Sequence, residues 1–263
     1  MPTFDTPGPI AARIDVVYGA VQVRADDRHD TTVVVRPRNA ASPADVAAAE
    51  QTQVTFRDGE LLVRSTSRPR LLFFGSGPEI EIDVVLPTGS SLDVRTTVGD
   101  ITCTGRLGVA ELECKHGSVR LDRAASLRAR SSSGAISVGS VDGETEATTA
   151  YGDVRVGETT GPARLETGYG DVTVDRALGS LTGITKYGQV RVGQAVRGSL
   201  VLETAYGEVE AGVSEGTAAW LDVHSGAGRI RNLLTEADGP ADATETVEIH
   251  ARTSYGDILI RRA

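Results

Sequence analysis

Between Ser91 and Glu210, apolar and polar residues alternate in short runs, each broken by a glycine. Two and four residues after that glycine stand Ile101 and Cys103, Val119 and Leu121, Ile136 and Val138, Val154 and Val156, Val172 and Val174, and Val190 and Val192. The residues between them, Thr102, Arg120, Ser137, Arg155, Thr173 and Arg191, are polar. This period of two predicts strands with one face turned inward. The alternation also runs before the glycine. It is clearest in Leu92, Val94 and Thr96, in Ala110, Leu112 and Cys114, and in Ala163, Leu165 and Thr167. Asp93, Arg95, Glu111, Glu113, Arg164 and Glu166 occupy the outward positions there.

The recurring glycines are Gly99, Gly117, Gly134, Gly152, Gly170, Gly188 and Gly207, spaced 18, 17, 18, 18, 18 and 19 residues apart. A second column, Gly143, Gly161, Gly179 and Gly198, precedes four of them by nine residues each. Segments of nine residues suit two strands joined by tight corners, and are too short for a helical repeat. A fixed short period means that each unit packs on its neighbours instead of closing a core of its own. The pattern therefore predicts an all-β chain: a right-handed parallel β-solenoid with about 18-residue coils of two strands.

Outside the regular stretch the signals are more varied. Ala12 to Arg24 reads as a hairpin-like pair that already carries the repeat phrase at Tyr18-Gly19. Ser42-Pro43 marks a helix start, with serine as cap and proline in the first turn, predicting a short helix near 43–51. Asp58-Gly59 between apolar runs predicts a hairpin turn. Leu71-Leu72-Phe73-Phe74, followed by a glycine-rich run to Pro78, is expected to pack over the open end of the solenoid or to form an exposed binding loop. Residues 1–90 are thus expected to form a strand-rich N-terminal cap, and 91–263 the repeat region. Within the latter lies a polar insertion near 232–243, turning at Asp238-Gly239-Pro240. The last coil, Val247 to Ile260, ends near the C-terminus and is expected to leave an open edge guarded by Arg261 and Arg262 or by a partner.

Composition agrees with a thin core and many corners: 30 of 263 residues are glycine, and aromatic residues make up 4%. The formal charge of −9 argues against binding nucleic acid or an anionic membrane nonspecifically. No apolar run is long enough for a transmembrane helix, and Met1 to Ile10 lacks the basic and apolar regions of a signal peptide, so a cytoplasmic location is expected. Cys103 and Cys114 fall in different inward columns and are expected to be buried free thiols.

With the Tyr-Gly-Asp phrases at Tyr151, Tyr169 and Tyr255, the run Leu86-Pro87-Thr88-Gly89-Ser90-Ser91-Leu92 and the strand-rich N-terminal part, the chain resembles the bacterial DUF4097 group from about Ile14 to Arg261. Domains of that group carry an adhesin label and are described as toast-rack or β-strand repeats. The resemblance implies a solenoid-like fold, and envelope association for the members that carry membrane segments. The composition, rich in Ala, Gly, Val and Arg, suits an actinobacterial version.

Candidate chemistry is sparse. The four histidines fall in no metalloprotease motif, and neither a nucleophile elbow nor a phosphate loop occurs. No cofactor, catalytic set or metal site is expected. The column after the corner glycine, Asp153, Asp171, Gln189 and Glu208, offers oxygen ligands but lacks the motif of calcium-binding solenoids. Tyr151, Tyr169, Tyr187 and Tyr206 share one column, so their rings are expected to stack about 4.8 Å apart. These residues define an outward corner strip with Asp153, Asp171, Lys186 and Glu208. The sequence predicts a noncatalytic scaffold or protein-interaction module that meets a protein partner or a second copy through a solenoid face or the C-terminal edge. The alternative is a polysaccharide hydrolase or lyase using carboxylates on one face.

Overall fold

The computed structural model describes residues 2–65, 77–235 and 243–263. The Leu71–Phe74 run and the Asp238-Gly239-Pro240 turn lie outside the described residues. The chain forms two compact units, Met1–Gly134 and Ala135–Ala263. Both are built almost entirely of strands that repeat the same pairing from one coil to the next.

The first unit contains β1 (Thr3–Asp5), β2 (Ala11–Asp26), β3 (Asp30–Pro37), α1 (Pro43–Gln51), β4 (Gln53–Arg57), β5 (Glu60–Arg64), β6 (Ile80–Pro87), β7 (Ser91–Val98), β8 (Ile101–His116) and β9 (Val119–Ser133). The stretch expected to be a hairpin-like pair is one 16-residue strand, β2. Its two halves pair with different strands rather than with each other. Ile14 lies in register with Val63 of β5 and Val94 of β7, and Val21 with Ile82 of β6 and Ile101 of β8, all parallel. Thus β2 is a complete coil inserted between β5–β6 and β7–β8, and its inward Ile14, Val16, Val21 and Val23 are buried.

One end of this unit is closed by a change of strand direction. β4 runs antiparallel to β5 through the Asp58-Gly59 turn, β3 runs antiparallel to β6, and β1 runs antiparallel to β3. α1 lies on β3 and β6. Its first turn is capped by Ser42, whose Oγ accepts the Asp45 N–H at 3.3 Å. Such a cap satisfies a donor that the helix cannot.

The second unit contains β10 (Ile136–Val141), β11 (Thr145–Tyr151), β12 (Val154–Thr159), β13 (Ala163–Tyr169), β14 (Val172–Ala177), β15 (Leu181–Tyr187), β16 (Val190–Ala195), β17 (Gly198–Tyr206), β18 (Val209–Val213), β19 (Thr217–Ala227), β20 (Ile230–Asn232), β21 (Glu245–Tyr255) and β22 (Ile258–Arg262). Two parallel stacks result. In one, Val154, Val172, Val190 and Val209 stand in register. In the other, Leu165, Gly183 and Leu202 do the same.

The C-terminal strand is not an edge, which corrects the sequence expectation. β21 pairs with β17 on one side and β19 on the other, and β22 lies between β18 and β20. The outermost coil is therefore β19–β20, which comes earlier in the chain. Apolar burial explains the order. Val247, Ile249, Ile258 and Ile260 are fully buried between two neighbours, whereas the weaker inward set Ala219, Leu221 and Val223 stays half-buried at the end. The strands with more apolar surface to remove from water take the position that removes it.

Candidate functional site

The corner strip of the second unit is assembled from three columns. The first is glycine. Gly152, Gly170, Gly188, Gly207 and Gly256 all have φ between +135° and +153°, where a β-carbon is strongly disfavoured. The chain passes so close to the preceding coil that a β-carbon on Gly170 would sit 2.6 Å from the carbonyl carbon of Gly152. The turn and the stacking distance thus both require glycine.

The second column is hydroxyl. Thr167 Oγ1 donates to the Gly152 carbonyl at 2.8 Å, Thr185 to Gly170 at 2.9 Å, Thr204 to Gly188 at 2.9 Å and Thr253 to Gly207 at 3.0 Å. In the first unit the Sγ of Cys114 fills the same role against Gly99 at 3.1 Å. An inward threonine near each corner satisfies a carbonyl that would otherwise be buried without a donor.

The third column is carboxylate. Asp153 Oδ1 accepts the Asp171 N–H at 2.9 Å, and Asp171 Oδ1 accepts the Gln189 N–H at 2.8 Å. Asp257 accepts from Arg229 at 2.8 Å, and Asp100 of the first unit from Ser118 at 2.7 Å. These aspartates tie one coil to the next. Among the described residues, no three His, Cys, Asp or Glu side chains converge as a metal site would require.

On this frame the tyrosines form a ladder. The rings of Tyr151, Tyr169, Tyr187, Tyr206 and Tyr255 are parallel within 7°, with centroids 4.8–5.1 Å apart. The three inner rings are 46–49% exposed and the two end rings 57–58%. Each inner ring turns its faces to its neighbours, so the strip presents ring edges and phenolic hydroxyls to solvent. Lys186 and Glu208 are exposed beside it. Tyr255 is the member that the regular period does not reach. The inserted coil brings it into register with Tyr206, and its Thr-Ser-Tyr-Gly-Asp-Ile phrase carries the same three columns. On its other side Ala227 is in register, and the ladder ends.

A second polar cluster joins residues distant in sequence. His250 Nδ1 lies 3.2 Å from Asp222 and its Nε2 3.0 Å from Glu248, while Arg252 reaches Asp222 at 3.4 Å. The hydrogen bond to Asp222, helped by Glu248, holds the imidazole pKa above its ordinary value. His250 and Arg252 together hold the Asp222 carboxyl below its own. No motif signals this group, because Asp222 and His250 meet only when β21 inserts beside β19. The thiols of Cys103 and Cys114 are free and buried. Burial raises them to about 12 and about 11.

Among the described residues, no helix is long and apolar enough to cross a membrane. No family signature and no curated protein matches the chain. Several solved structures are similar. One, described as a putative adhesin of Bacteroides fragilis, has 13% identity and a TM-score of 0.45, covering 100% of this chain and 96% of its own. A putative adhesin of Parabacteroides distasonis has 10% identity and a TM-score of 0.40, with 98% and 95% covered. A putative cell adhesion protein of Clostridium sporogenes has 9% identity and a TM-score of 0.23, with 100% and 98% covered. The expectation of a cytoplasmic location is corrected by these adhesin-type matches and is not retained. The chain is thus similar to bacterial proteins described as putative adhesins.

Proposed function

We propose that the chain is a noncatalytic β-solenoid scaffold that binds a protein partner through the corner strip of Tyr151, Asp153, Tyr169, Asp171, Lys186, Tyr187, Tyr206 and Glu208, extended by Tyr255. In this reading the coils wind right-handed with about 18 residues each. Residues 1–90 cap the repeat region 91–263, and the chain belongs with DUF4097 domains. The observation that carries the proposal is the ladder itself. Five half-exposed tyrosines are held in register by backbone hydrogen bonds and stacked rings, so little side-chain entropy remains to be lost on binding. Tyrosine rims combine apolar edges with a donor and acceptor at regular intervals, a chemistry enriched at protein interfaces.

The test uses a Tyr169→Ala/Tyr187→Ala variant. Asp171 is left intact because it accepts a backbone donor of the next coil. After circular dichroism has verified the fold, wild type and variant are used to capture partners from fractionated host cells. Loss of at least one reproducible partner in the variant is expected. Equal recovery of every partner would remove the strip from the proposal, and reproducible turnover of a polysaccharide by the wild type would replace the noncatalytic reading.

A further inference from the structure

A depression on the outward face of β12, β14 and β16 lies past the tyrosine corner. It encloses about 500 Å³ and is lined by Arg155, Thr173, Val174, Asp175, Gln189, Arg191 and Gly193. Its shape follows from the register. One row across the three strands reads Arg155, Thr173, Arg191, with a short side chain between two long ones. The next outward row reads Gly157, Asp175, Gly193, a carboxylate standing between two residues without side chains. Gly193 has its own backbone reason, since a β-carbon there would meet the Asp175 carbonyl oxygen at 2.7 Å. The opening beside Asp175 is therefore built into the coil packing.

The charges in this depression are incompletely matched. Arg164, Arg176, Arg197 and Arg252 of the same unit each have a carboxylate within ion-pair distance. Arg155 and Asp175 line one cavity, yet neither has an ionic or side-chain hydrogen-bond partner among the described residues. Arg191 reaches Glu210 at 3.4 Å, but Arg261 holds that carboxylate more closely, at 2.8 Å. The upper row thus carries excess positive charge around the Thr173 hydroxyl, and the lower row an unmatched acceptor.

We propose that this depression binds a carboxylated pyranose, the unit of an acidic saccharide. Arg155 and Arg191 stand two coils apart, about 10 Å along the stack; Arg155 reaches an anion above Thr173 directly, and Arg191 joins it by swinging back from Glu210, which lies on the far side of its strand. Guanidinium groups suit a carboxylate because their donors are planar and paired. Asp175 lies two residues further along the strand, about 7 Å away, and accepts hydroxyl donors there, while Gln189 stands on the other side of the arginine row, beside Asp171. That separation sets the ligand class. An α-amino acid carries its ammonium one carbon from its carboxylate, too close to reach both rows. A uronic acid places hydroxyls across a ring from its carboxylate, which matches the distance. The site adjoins the corner strip at Gln189, whose N–H is held by Asp171, but uses none of the tyrosines.

Isothermal titration of the full chain with galacturonic acid, a short oligogalacturonate, a neutral galactose oligomer and an acidic peptide tests this. Saturable binding of the uronates that weakens with added salt is expected. The oligomer binding more tightly than the monomer assigns the site to a polysaccharide, and equal affinities assign it to a free sugar acid. Arg155→Ala, an exposed substitution, is expected to weaken binding about tenfold or more. Thr173→Trp, which fills the depression, is expected to abolish it. Tyr169→Ala/Tyr187→Ala is expected to leave it unchanged, separating this site from the partner strip. The proposal is overturned if the wild type binds no uronate, binds the neutral oligomer or the peptide as well, or keeps its affinity when a folded Arg155→Ala variant is titrated.

Discussion

Replacing Gly170 by alanine tests the account of the corner most directly. Gly170 has φ +147° and its β-carbon would lie inside contact distance of the Gly152 carbonyl, 2.6 Å from its carbon and 2.9 Å from Asp153 Oδ1. Two costs add. The backbone conformation alone costs about 1–3 kcal/mol for a residue with a side chain. Relieving the clash means moving two coils apart where Thr167 donates to Gly152 and Asp171 donates to Asp153, and losing two such bonds costs about 2 kcal/mol. The expected loss is therefore about 4 kcal/mol. Gly216 provides the control in the same unit. Its φ is +75° and the nearest atom to its β-carbon would be 3.6 Å away, so only the conformational cost applies, about 1 kcal/mol. Urea unfolding followed by circular dichroism, with Trp220 fluorescence as a second probe, measures both. If Gly170→Ala falls within about 1 kcal/mol of Gly216→Ala, close coil packing at the corner is refuted.

Cys114→Thr should cost less than about 1 kcal/mol, because threonine supplies the same donor to the facing carbonyl elsewhere in the column, while Cys114→Val should cost more by leaving the Gly99 carbonyl without one; comparative urea melts decide. With thiol pKa values near 12 and 11, neither cysteine should react with iodoacetamide at pH 8 until denaturant is added, and labelling of the native chain would contradict their burial. His250→Gln should lower the melting temperature in a pH-dependent way. The raised histidine pKa stabilises the fold below the ordinary value of 6.5, and this is lost as pH rises through the folded value. The lowered Asp222 pKa adds stability above the ordinary carboxylate range, lost as pH falls through its folded value. The gap between variant and wild type should thus be widest between about pH 5 and 6.5 and narrow above; a gap constant to pH 9 would refute the tie. Ending the chain at Thr244 removes β21 and β22, which hold β19 and β20 on the stack, so the amides of β19 should lose their protection from hydrogen exchange.

Much of the architecture was legible in the residue pattern, because strand alternation, corner glycines and helix caps depend on few neighbouring residues. Valines two and four positions past a glycine point to one face wherever the coil lies, and the place of each tyrosine just before a corner glycine, at spacings of 18, 18 and 19 residues, puts Tyr151, Tyr169, Tyr187 and Tyr206 in one column. Even the place of Cys114 among threonines followed from counting. The order of the coils could not be counted. β2 and β21–β22 leave their sequence positions to insert between other coils, because burial of Ile14, Val21, Ile249 and Ile258 on both sides is a property of the whole stack. That rearrangement brings Tyr255 to the ladder, Asp222 to His250, and the last strand away from the edge where chain order placed it. The role of Asp153 and Asp171 was hidden for a related reason. A carboxylate beside a corner looks solvated in sequence, and only the stacking of coils brings the backbone N–H of the next one within 2.9 Å. Periodicity sets what each residue faces, and packing between distant segments sets which residues meet.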